Sequence, residues 1–555
     1  MFDRHYAVWP DYLPHRLALP QTSLYANLAI SAQRYPDRNA ILYYDTPITY
    51  AELERESLAL AGYLTSRGVG RGDRVLLYMQ NAPQYVIAFY AILRANAVVV
   101  PVNPMNRTGE IEHYARDTEA RLCLCGQERL GEATPLLESG WLDEIVVTAY
   151  SEYATQDSAL ELPTEVAAPF EAPRATGVTA WRDAMDADLA PPALEVGPDD
   201  LAVLPYSSGT TGQPKGCMHT HASVMATAVH SVVWSYGTSE GVNLATLPFF
   251  HVTGMQNSMN ATIYAGATLA IMTRWDRRTA ARLIERYRVN RWTNIVTMAV
   301  DLLADPEIES FDLSSLEYIG GGGAAMPAAV AEKLRALTGL DYIEGYGLSE
   351  TMAATHINPL GAPKAQCLGI PVFSVDARIV DLETQREVPV GETGEIVSNG
   401  PQVCVGYWNR PEATAEAFIE IDGKRFFRTG DIGRCDEHGY FFMVDRAKRM
   451  INASGYKVWP AEVEALMYEH PDVREACVIA TPDARRGESV KACVVLVDGS
   501  SATEDDVLGW CREHMAAYKV PRAVEICLEL PRSQTGKVMW RRLQEAEWQG
   551  TESVT

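Results

Sequence analysis

Tyr206-Ser207-Ser208-Gly209-Thr210-Thr211-Gly212-Gln213-Pro214-Lys215-Gly216 combines hydroxyl side chains, three glycines and a lysine in eleven consecutive positions. Because glycine lacks a Cβ atom, the main chain can approach a ligand closely, and N–H groups and hydroxyls can donate to phosphate oxygens. The lysine adds a positive charge for the same anion. Residues 201–204 predict a short buried strand that leads into this segment. The sequence therefore predicts a phosphate-binding loop, with contacts from Ser207, Ser208, Gly209, Thr210, Thr211, Gly212 and Lys215.

This loop differs from the Walker A loop at two positions. Lys215 is followed by Gly216 rather than by Ser or Thr, and Pro214 stands where that motif begins its helix. An ordinary flexible loop is the alternative interpretation. Eleven consecutive residues of this kind are far more restrictive than a single glycine pattern, so we favour the phosphate-binding interpretation.

Length and composition indicate a globular protein of at least two domains. A chain of 555 residues exceeds the size of one ordinary core, and 47 % hydrophobic residues is typical of soluble proteins. The longest apolar run, residues 85–102, is interrupted by Arg94 and Asn96, so no membrane span is predicted. The first residues include an acid and an arginine but no apolar core, unlike a secretory signal.

The net charge and the cysteine pattern indicate which classes of binding partner and which cellular compartment fit this sequence. The net charge of −24 argues against nucleic acid as a partner. Ten cysteines are scattered without CxxC spacing, and only Cys123 and Cys125 are close, which fits one face of a strand. This usage suits a reducing compartment, so we expect a cytoplasmic protein. The oligomeric state is open, and a homodimer is compatible with the sequence.

The order of helix and strand patterns predicts an α/β fold. Thr49-Tyr50-Ala51-Glu52 is a capping box that begins an amphipathic helix ending near Gly68. Strand and helix patterns then alternate through residues 74–102 and again through residues 292–347, which predicts parallel or mixed sheets with packed helices. Residues 152–200, rich in Ala, Glu and Pro, indicate a surface excursion.

The pattern changes towards the C-terminus. Residues 371–399 favour short, mostly antiparallel strands, and after Asp445 two helices and two strands make a compact α+β unit. We therefore predict a large N-terminal domain, residues 1–447, and a small C-terminal domain, residues 448–555.

A second glycine-rich segment, Gly320-Gly321-Gly322-Gly323-Ala324-Ala325, follows a predicted strand at 316–319 and precedes a predicted helix. Its spacing satisfies the dinucleotide-binding pattern, and Asp341 lies near the position of that pattern's ribose acid. A nicotinamide-dependent oxidoreductase is therefore an alternative. We disfavour it because a stronger motif, Glu344–Thr351, follows almost at once. A tight strand-to-helix turn is the purely structural interpretation of the glycines.

Glu344-Gly345-Tyr346-Gly347-Leu348-Ser349-Glu350-Thr351 is that stronger motif. A tyrosine between two glycines can stack on a purine, while Ser349 and Glu350 suit phosphate and metal contacts. A hard divalent cation held by one carboxylate and by substrate phosphates is typical of Mg²⁺. A solvated surface charge is the weaker interpretation of Glu350.

These motifs resemble those of the acyl-adenylate-forming superfamily, which includes acyl- and aryl-CoA synthetases, firefly luciferase and the adenylation domains of peptide synthetases. The resemblance extends from about Thr49 to Lys537, and the motifs follow the family's order. It implies binding of ATP, Mg²⁺ and coenzyme A. The residues expected at ATP or AMP, beyond the first loop, are Gly322, Gly323, Ala324, Glu344, Gly345, Tyr346, Gly347, Ser349, Asp431 and Arg446. The expected metal ligands are Thr210 and Glu350.

Within this resemblance, the adenine ring lies flat on the glycine strip near Gly322 and against Tyr346. Asp431, in Arg428-Thr429-Gly430-Asp431, accepts from both ribose hydroxyls, and Arg446 reaches the ribose. For Arg449 we favour a solvated linker charge.

The resemblance also assigns roles in the small, mobile domain. Lys448 is the pivot between the domains, and Lys537 is the catalytic lysine that offsets charge while a carboxylate attacks phosphorus. Ser454, Gly455 and Tyr456 line the tunnel for the pantetheine of coenzyme A. Many relatives carry a lysine at the position of Asn452, so a lysine-assisted thioester step is unsupported here.

Leu247–Met255 bears on the substrate. His251 resembles the family's gate beside the α-phosphate and the acyl entrance, although a lone histidine in apolar surroundings is more often a core residue. No acidic residue occurs between Leu247 and Met272, so a positive α-amino group would lack a counter-ion. His219 and His221 are expected to be structural.

The resemblance implies an AMP-forming acyl-CoA synthetase. It would convert an apolar acid, a medium- or long-chain fatty acid or an aryl acid, to an acyl-adenylate and then to a thioester. The alternative within the family is a carrier-protein-loading or luciferase-like enzyme.

Overall fold

The computed structural model describes residues 3–155, 157–207, 214–446, 449–453, 456–483, 487–532 and 538–552. In chain order, the helices are α1 (Tyr25–Arg34), α2 (Tyr50–Ser66), α3 (Pro83–Arg94), α4 (Thr108–Thr118), α5 (Leu130–Glu138), α6 (Thr164–Ala167), α7 (Trp181–Met185), α8 (His221–Trp234), α9 (Ala261–Ala265), α10 (Arg277–Tyr287), α11 (Val296–Leu303), α12 (Ala328–Thr338), α13 (Pro411–Glu416), α14 (Pro460–Met467), α15 (Glu504–His514) and α16 (Trp540–Glu552).

The strands up to residue 371 are β1 (Asn39–Tyr43), β2 (Thr46–Thr49), β3 (Arg74–Tyr78), β4 (Val98–Pro101), β5 (Leu122–Gly126), β6 (Glu144–Thr148), β7 (Val178–Ala180), β8 (Leu201–Val203), β9 (Tyr206–Ser207), β10 (Lys215–Gly216), β11 (His219–Thr220), β12 (Val242–Ala245), β13 (Thr268–Ile271), β14 (Arg291–Asn294), β15 (Tyr318–Gly322), β16 (Tyr342–Leu348), β17 (Ala353–Ile357) and β18 (Ile370–Pro371). The later strands are β19 (Asp376–Val380), β20 (Gly394–Asn399), β21 (Phe418–Ile421), β22 (Lys424–Cys435), β23 (Phe441–Arg446), β24 (Ile451–Ala453), β25 (Tyr456–Val458), β26 (Val473–Asp483), β27 (Gly487–Leu496) and β28 (Ala523–Ile526).

The chain divides into two compact units. The large unit comprises Met1–Ala377, Ser398–Phe427 and His438–Phe441, and the small unit comprises Arg378–Val397, Arg428–Glu437 and Phe442–Thr555. The chain passes from one unit to the other within strands β19, β20, β22 and β23 and in the turn between β22 and β23. The predicted boundary at residues 447 and 448 falls outside the described residues.

Two large sheets organise the large unit. One has nine strands in the order β18-β17-β16-β15-β14-β12-β13-β1-β2, and the other has seven in the order β11-β8-β4-β3-β5-β6-β7. The pairings from β12 to β16 and from β3 to β7 are parallel, as the alternation of strands and helices predicts. The predicted α/β class is confirmed.

The core of the large unit is built around helix α3. Residues 83–93 of this helix are all buried, because its sequence is apolar on every side and such a helix needs neighbours all round. Helix α2 packs beside it and begins with the predicted capping box, in which Thr49 and Glu52 satisfy each other's backbone N–H groups.

The structure corrects the interpretation of residues 152–200. This segment contributes β7, which pairs in parallel with β6 at the edge of the seven-stranded sheet, and α7, whose Trp181 is fully buried. The short strand and single buried tryptophan are too brief for a periodic signal, and the surrounding prolines obscured them.

The small unit has a compact α+β core. Strands β25-β24-β27-β26 form a sheet in that order, and β28 pairs in parallel with β27. Apolar residues of α14 and α15, including Val463 and Val507, pack with strand residues such as Val478 and Val494. This arrangement agrees with the predicted helix and strand order after Asp445.

Candidate active site

The predicted phosphate-binding loop begins and ends in a two-stranded hairpin. Strands β9 and β10 pair antiparallel, with Lys215 opposite Ser207 and Gly216 opposite Tyr206. The two predicted contact residues at the ends of the loop are therefore brought side by side. Ser208, Gly209, Thr210, Thr211 and Gly212 lie outside the described residues.

Aromatic side chains hold this hairpin. The Tyr206 hydroxyl donates to Oδ2 of Asp117 at 2.7 Å, and Trp408 Nε1 donates to the main-chain oxygen of Asp117 at 2.9 Å. A Cβ atom on Gly216 would lie 3.2 Å from the Tyr206 ring, tighter than ordinary van der Waals contact. Gly216 is thus explained by close packing as well as by ligand access.

The segment that leaves the loop pairs with residues 404–408. Cys217 forms an antiparallel bridge with Tyr407, and Trp408 N donates to the Gly216 oxygen at 2.8 Å. On the next residue, Met218 N donates to the Gly406 oxygen at 2.9 Å. These bonds fix Tyr407 directly beside the end of the loop.

Tyr407 lies between the loop lysine and Glu350. Lys215 Nζ is 4.9 Å from the centroid of the Tyr407 ring, and the Tyr407 hydroxyl donates to Oε1 of Glu350 at 2.9 Å. Burial and the Glu350 charge both raise the pKa of Tyr407 above its ordinary value, so the phenol remains a donor. The sequence analysis missed Tyr407, and a glycine–aromatic pair at 406–407 was the available signal.

The turn that carries Glu350 follows β16 as a 3₁₀ turn, Ser349–Thr351. The main-chain oxygen of Glu350 accepts from Cys404 N at 2.8 Å, and that of Ser349 accepts from His219 Nε2 at 2.8 Å. His219 is fully buried, and this burial lowers its pKa to about 4, so the ring is neutral near pH 7. The turn that carries Glu350 is therefore held by His219, which follows the first loop, and by Cys404.

The glycines of the second glycine-rich segment belong to a strand rather than to a turn. Gly320, Gly321 and Gly322 are in β15, which pairs with β14 and β16. A Cβ on Gly321 would lie 1.9 Å from the oxygen of Asn294, and a Cβ on Gly322 would lie 2.3 Å from that of Gly345. The dinucleotide fingerprint needs its glycines in the strand-to-helix turn, so this geometry does not support the oxidoreductase alternative.

Beyond β15 the segment becomes open. Gly323 has φ of +85° and no atom within 4 Å of a built Cβ, and Ala324 is also exposed. Glu344 supports the next turn, because its buried carboxylate accepts from Met326 N at 2.8 Å and Cys367 N at 3.4 Å. Burial raises the pKa of Glu344, while the backbone donors oppose that rise.

Tyr346 and its flanking glycines occupy β16. The Tyr346 ring is buried, with its centroid 5.6 Å from that of His356. Gly345 lies opposite Ile357 of β17. A Cβ on Gly347 would lie 1.6 Å from the oxygen of Ala353, so this position requires glycine for strand packing.

His251 is exposed at a bend that precedes a π-helix, Gly254–Asn260. Single π-helical turns are frequent at functional sites. The buried side chain of Asn81 fixes the segment before it, donating to the Leu247 oxygen at 2.9 Å and accepting from Phe249 N at 2.7 Å. The π-helix and Asn81 left no signal in the sequence analysis.

In the small unit, Asp431 is buried within β22, where its N–H donates to Thr429 Oγ1 at 3.1 Å. The adjoining Gly430 N donates to Oε1 of Glu395 at 3.0 Å, while Arg428 binds Oε2 of the same carboxylate. Arg446 is the last residue of β23. These bonds hold the Asp431 backbone in place.

Arg449 corrects one interpretation. Its side chain is only 14 % exposed rather than solvated, with ion pairs to Glu464 and to Asp445, and it donates to the Val478 oxygen at 3.1 Å. A charge with so little exposure needs partners, and these come from the preceding strand, from α14 and from β26. Tyr456 begins β25, whereas Lys448, Ser454, Gly455 and Lys537 lie outside the described residues.

No helix in the described part of the chain is both long and apolar enough to cross a membrane. Across the same described ranges, no three His, Cys, Asp or Glu side chains are placed to hold a metal ion together.

Comparisons with known proteins place this chain in a family. The AMP-binding enzyme family matches residues 28–408, and the AMP-binding enzyme C-terminal domain matches residues 462–537. A long-chain-fatty-acid–CoA ligase of Bacillus subtilis (strain 168) is 36 % identical over 557 residues, covering 98 % of this chain and 97 % of that protein. A feruloyl-CoA synthase of Amycolatopsis sp is 35 % identical over 510 residues, covering 92 % and 96 %.

Among solved structures, ATP-bound MatB from Rhodopseudomonas palustris superposes with a TM-score of 0.82 at 28 % identity, covering 95 % of this chain and 99 % of that one. The resemblance in the sequence and the predicted fold are thus confirmed. The chain belongs to the AMP-binding enzyme family and is an adenylate-forming acid–CoA ligase, for which ATP and coenzyme A are substrates.

Proposed function

We propose that this ligase activates an apolar carboxylic acid, a medium- or long-chain fatty acid or an aryl acid. In the first step, a carboxylate oxygen attacks the α-phosphorus of Mg·ATP, the bond to pyrophosphate breaks, and an acyl-adenylate forms. In the second step, the thiol of coenzyme A attacks the acyl carbon and AMP leaves. Splitting one difficult acyl transfer in this way replaces a poor leaving group with a good one.

One observation carries the assignment of the site. Tyr407 connects the end of the phosphate-binding loop with the Glu350 turn. Lys215 Nζ lies 4.9 Å from the centroid of its ring, and its hydroxyl lies 2.9 Å from Oε1 of Glu350. These contacts support a site in which Lys215 would meet phosphate and Glu350 would hold a hard metal ion, with Tyr407 between them. An adenylating enzyme needs both, because the carboxylate substrate and the triphosphate repel each other.

The residues present fit Mg²⁺. A site with one protein carboxylate requires the remaining oxygen ligands to come from phosphates, hydroxyls and water, which is the usual arrangement for this cation. Glu350 would hold it, together with Thr210. When bound, the ion would neutralise phosphate charge. Glu350 itself is held by bonds to its side chain and its main chain, so it needs little reorganisation on binding.

The residues proposed for nucleotide recognition follow the motifs of the family. Adenine would lie on the open strip at Gly323 and Ala324, since no atom is within 4 Å of a built Cβ at Gly323. Tyr346 would border the ring, and Asp431 and Arg446 would bind the ribose. Glu344 would act by bracing the turn at Met326, as its two backbone bonds indicate.

The small C-terminal domain, residues 448–555, would supply Lys537, which would offset charge at the α-phosphate. His251, in the large unit, would border the acyl entrance. Ser454, Gly455 and Tyr456 would line the path of the pantetheine arm. Because Lys537 and this glycine loop would serve the same acyl carbon in turn, Lys448 would act as the pivot between two poses.

The substrate class is supported by two facts. The absence of an acidic residue between Leu247 and Met272 disfavours amino acids, whose ammonium group would lack a partner. The relatives above are named for a long-chain fatty acid and for ferulate, at nearly equal identity, so both fatty and aryl acids remain in the proposal. All ten cysteines lie in the described part of the chain and none of them forms a disulfide, which is expected of a cytoplasmic enzyme.

An acid panel tests the proposal. Fatty acids of increasing length, aryl acids and amino acids would be assayed for AMP release with and without coenzyme A. We expect CoA-dependent thioester formation with an apolar acid and none with amino acids. AMP release followed by transfer to a carrier protein, but not to coenzyme A, would favour the carrier-loading alternative.

The proposal that the enzyme is a homodimer is separate from the substrate. Light scattering on the same preparation would test it.

A further inference from the structure

Tyr407 is held rigidly at the site. Its backbone N–H donates to Thr414 Oγ1 at 2.9 Å, and the residue bridges to Cys217 on the opposite side. Its side chain is nine-tenths buried and packs with Cys217 and Cys404. A phenol fixed at both its backbone and its ring has little freedom to turn its hydroxyl away from Glu350.

The contact with Glu350 is specific. The hydroxyl donates to Oε1 at 2.9 Å, across 57 residues of sequence, and the Glu350 main chain is held separately by Cys404 N. The bond therefore restricts rotation of the carboxylate itself rather than the position of the turn. Groups that orient a metal-binding carboxylate in this way commonly change metal affinity about 10- to 100-fold when they are removed.

We propose that Tyr407 is a positioning residue that orients the Glu350 carboxylate for the divalent cation of the ATP complex. The inference rests on the proposed role of Glu350 as a metal ligand. Tyr407 also makes a cation–π contact with the loop lysine, since Lys215 Nζ lies over the face of its ring, 4.9 Å from the centroid. One aromatic side chain thus sets the geometry between the phosphate cation and the metal carboxylate.

The competing explanation is packing alone. The ring fills the small core formed with Cys217 and Cys404, and its loss would disturb the loop for that reason. Tyr407→Phe separates the two explanations, because it keeps the ring, the core contact and the lysine–ring interaction while removing only the oxygen.

The experiment measures Mn²⁺ binding by electron paramagnetic resonance, with Mn²⁺ as the probe and a non-hydrolysable ATP analogue present. We expect Tyr407→Phe to weaken Mn²⁺ binding about tenfold, while affinity for the metal-free analogue and the melting temperature change little. Tyr25→Phe is the matched control. It removes a comparable tyrosine hydroxyl that donates to Glu54 at 3.2 Å, between α1 and α2, and should leave Mn²⁺ binding unchanged.

A double-variant cycle makes the assignment specific. In a Glu350→Gln background, Tyr407→Phe should have a much smaller effect, because the partner carboxylate is already gone. Unchanged Mn²⁺ affinity in Tyr407→Phe, with a clear loss in Glu350→Gln, would overturn the role of Tyr407 alone. Unchanged affinity in both variants would overturn the metal role of Glu350 and the inference with it. Equal effects of Tyr407→Phe in both backgrounds would show that the hydroxyl acts independently of Glu350 and would overturn the inference.

Discussion

His219 Nε2 donates to the main-chain oxygen of Ser349 at 2.8 Å and so joins two residues that are 130 positions apart in the sequence. Because a carbonyl oxygen can only accept, the bond fixes the proton on Nε2, and Nδ1 lies 3.2 Å from Ser223 Oγ. A neutral ring satisfies both contacts. The turn that presents Glu350 is thus held by a residue that follows the phosphate-binding loop.

Stability should fall on mild acidification because His219 is buried in its neutral form. Burial lowers its pKa from 6.5 to about 4, so the unfolded chain binds a proton more readily between these values. Its contribution is fully present above pH 6.5 and is lost as pH falls towards 4. Between pH 7.5 and 5.5 we expect a loss of about 1.4 kcal/mol from this residue.

Urea unfolding of the parent and of His219→Gln at both pH values measures this loss. The variant should lose about 1.4 kcal/mol less than the parent over the same interval. His514→Gln, at the exposed end of α15, is the control for a His-to-Gln exchange away from this contact. An identical response of His219→Gln and the parent would show that His219 is not neutral by burial.

Two glycine substitutions should impair different properties: Gly347→Ala mainly the stability of the fold, and Gly323→Ala mainly the binding of ATP. Gly347→Ala would force a Cβ to within 1.6 Å of the Ala353 oxygen, so we expect a loss of stability on the order of 3 kcal/mol or more. Gly323→Ala meets open space and carries only the cost of its positive φ, about 1–2 kcal/mol, but places a methyl group on the proposed adenine strip. Thermal unfolding and ATP titration compare the two. A greater loss of stability in Gly323→Ala than in Gly347→Ala would contradict both the packing requirement at Gly347 and the open space at Gly323.

Lys537→Ala should block formation of the adenylate from the free acid and spare thioester formation from a supplied acyl-adenylate. The lysine would serve only the charge that develops at phosphorus in the first step. Separate assays of the two half-reactions provide the measurement. Arg532→Ala, a nearby cation paired with Glu475, is the control for general damage to this segment. Equal loss of both half-reactions would reject the assignment.

Lys448→Pro should impair thioester formation much more than adenylate formation, provided that the restricted pose is the adenylating one. Proline fixes φ and removes an N–H, which restricts a pivot. Single-turnover measurements would follow acyl-adenylate and acyl-CoA in the same reaction. A full coenzyme A-dependent rate would exclude a pivot at this residue.

Local patterns in the sequence were sufficient for much of the fold. The capping box at Thr49 predicted the start of α2 because its two hydrogen bonds join residues three positions apart. The same holds for α3, whose apolar sequence and N-terminal proline lie within one helix, and for β4, whose β-branched residues lie within one strand. The motif at 206–216 indicated the family for a similar reason, since residue types and spacing are local properties.

Tertiary structure decided the contacts that complete the site. Tyr407 reaches Glu350 across 57 residues, and His219 reaches Ser349 across 130, because sheet order and paired segments bring them together. It also placed Gly320–Gly322 in a strand between two neighbours, and it paired Arg449 with Glu464. Sequence thus determined which chemical groups are available and in which local elements they occur. The packing of distant elements determined which groups meet, because propensity and spacing act over a few residues, whereas these bonds depend on how strands far apart in the chain are ordered.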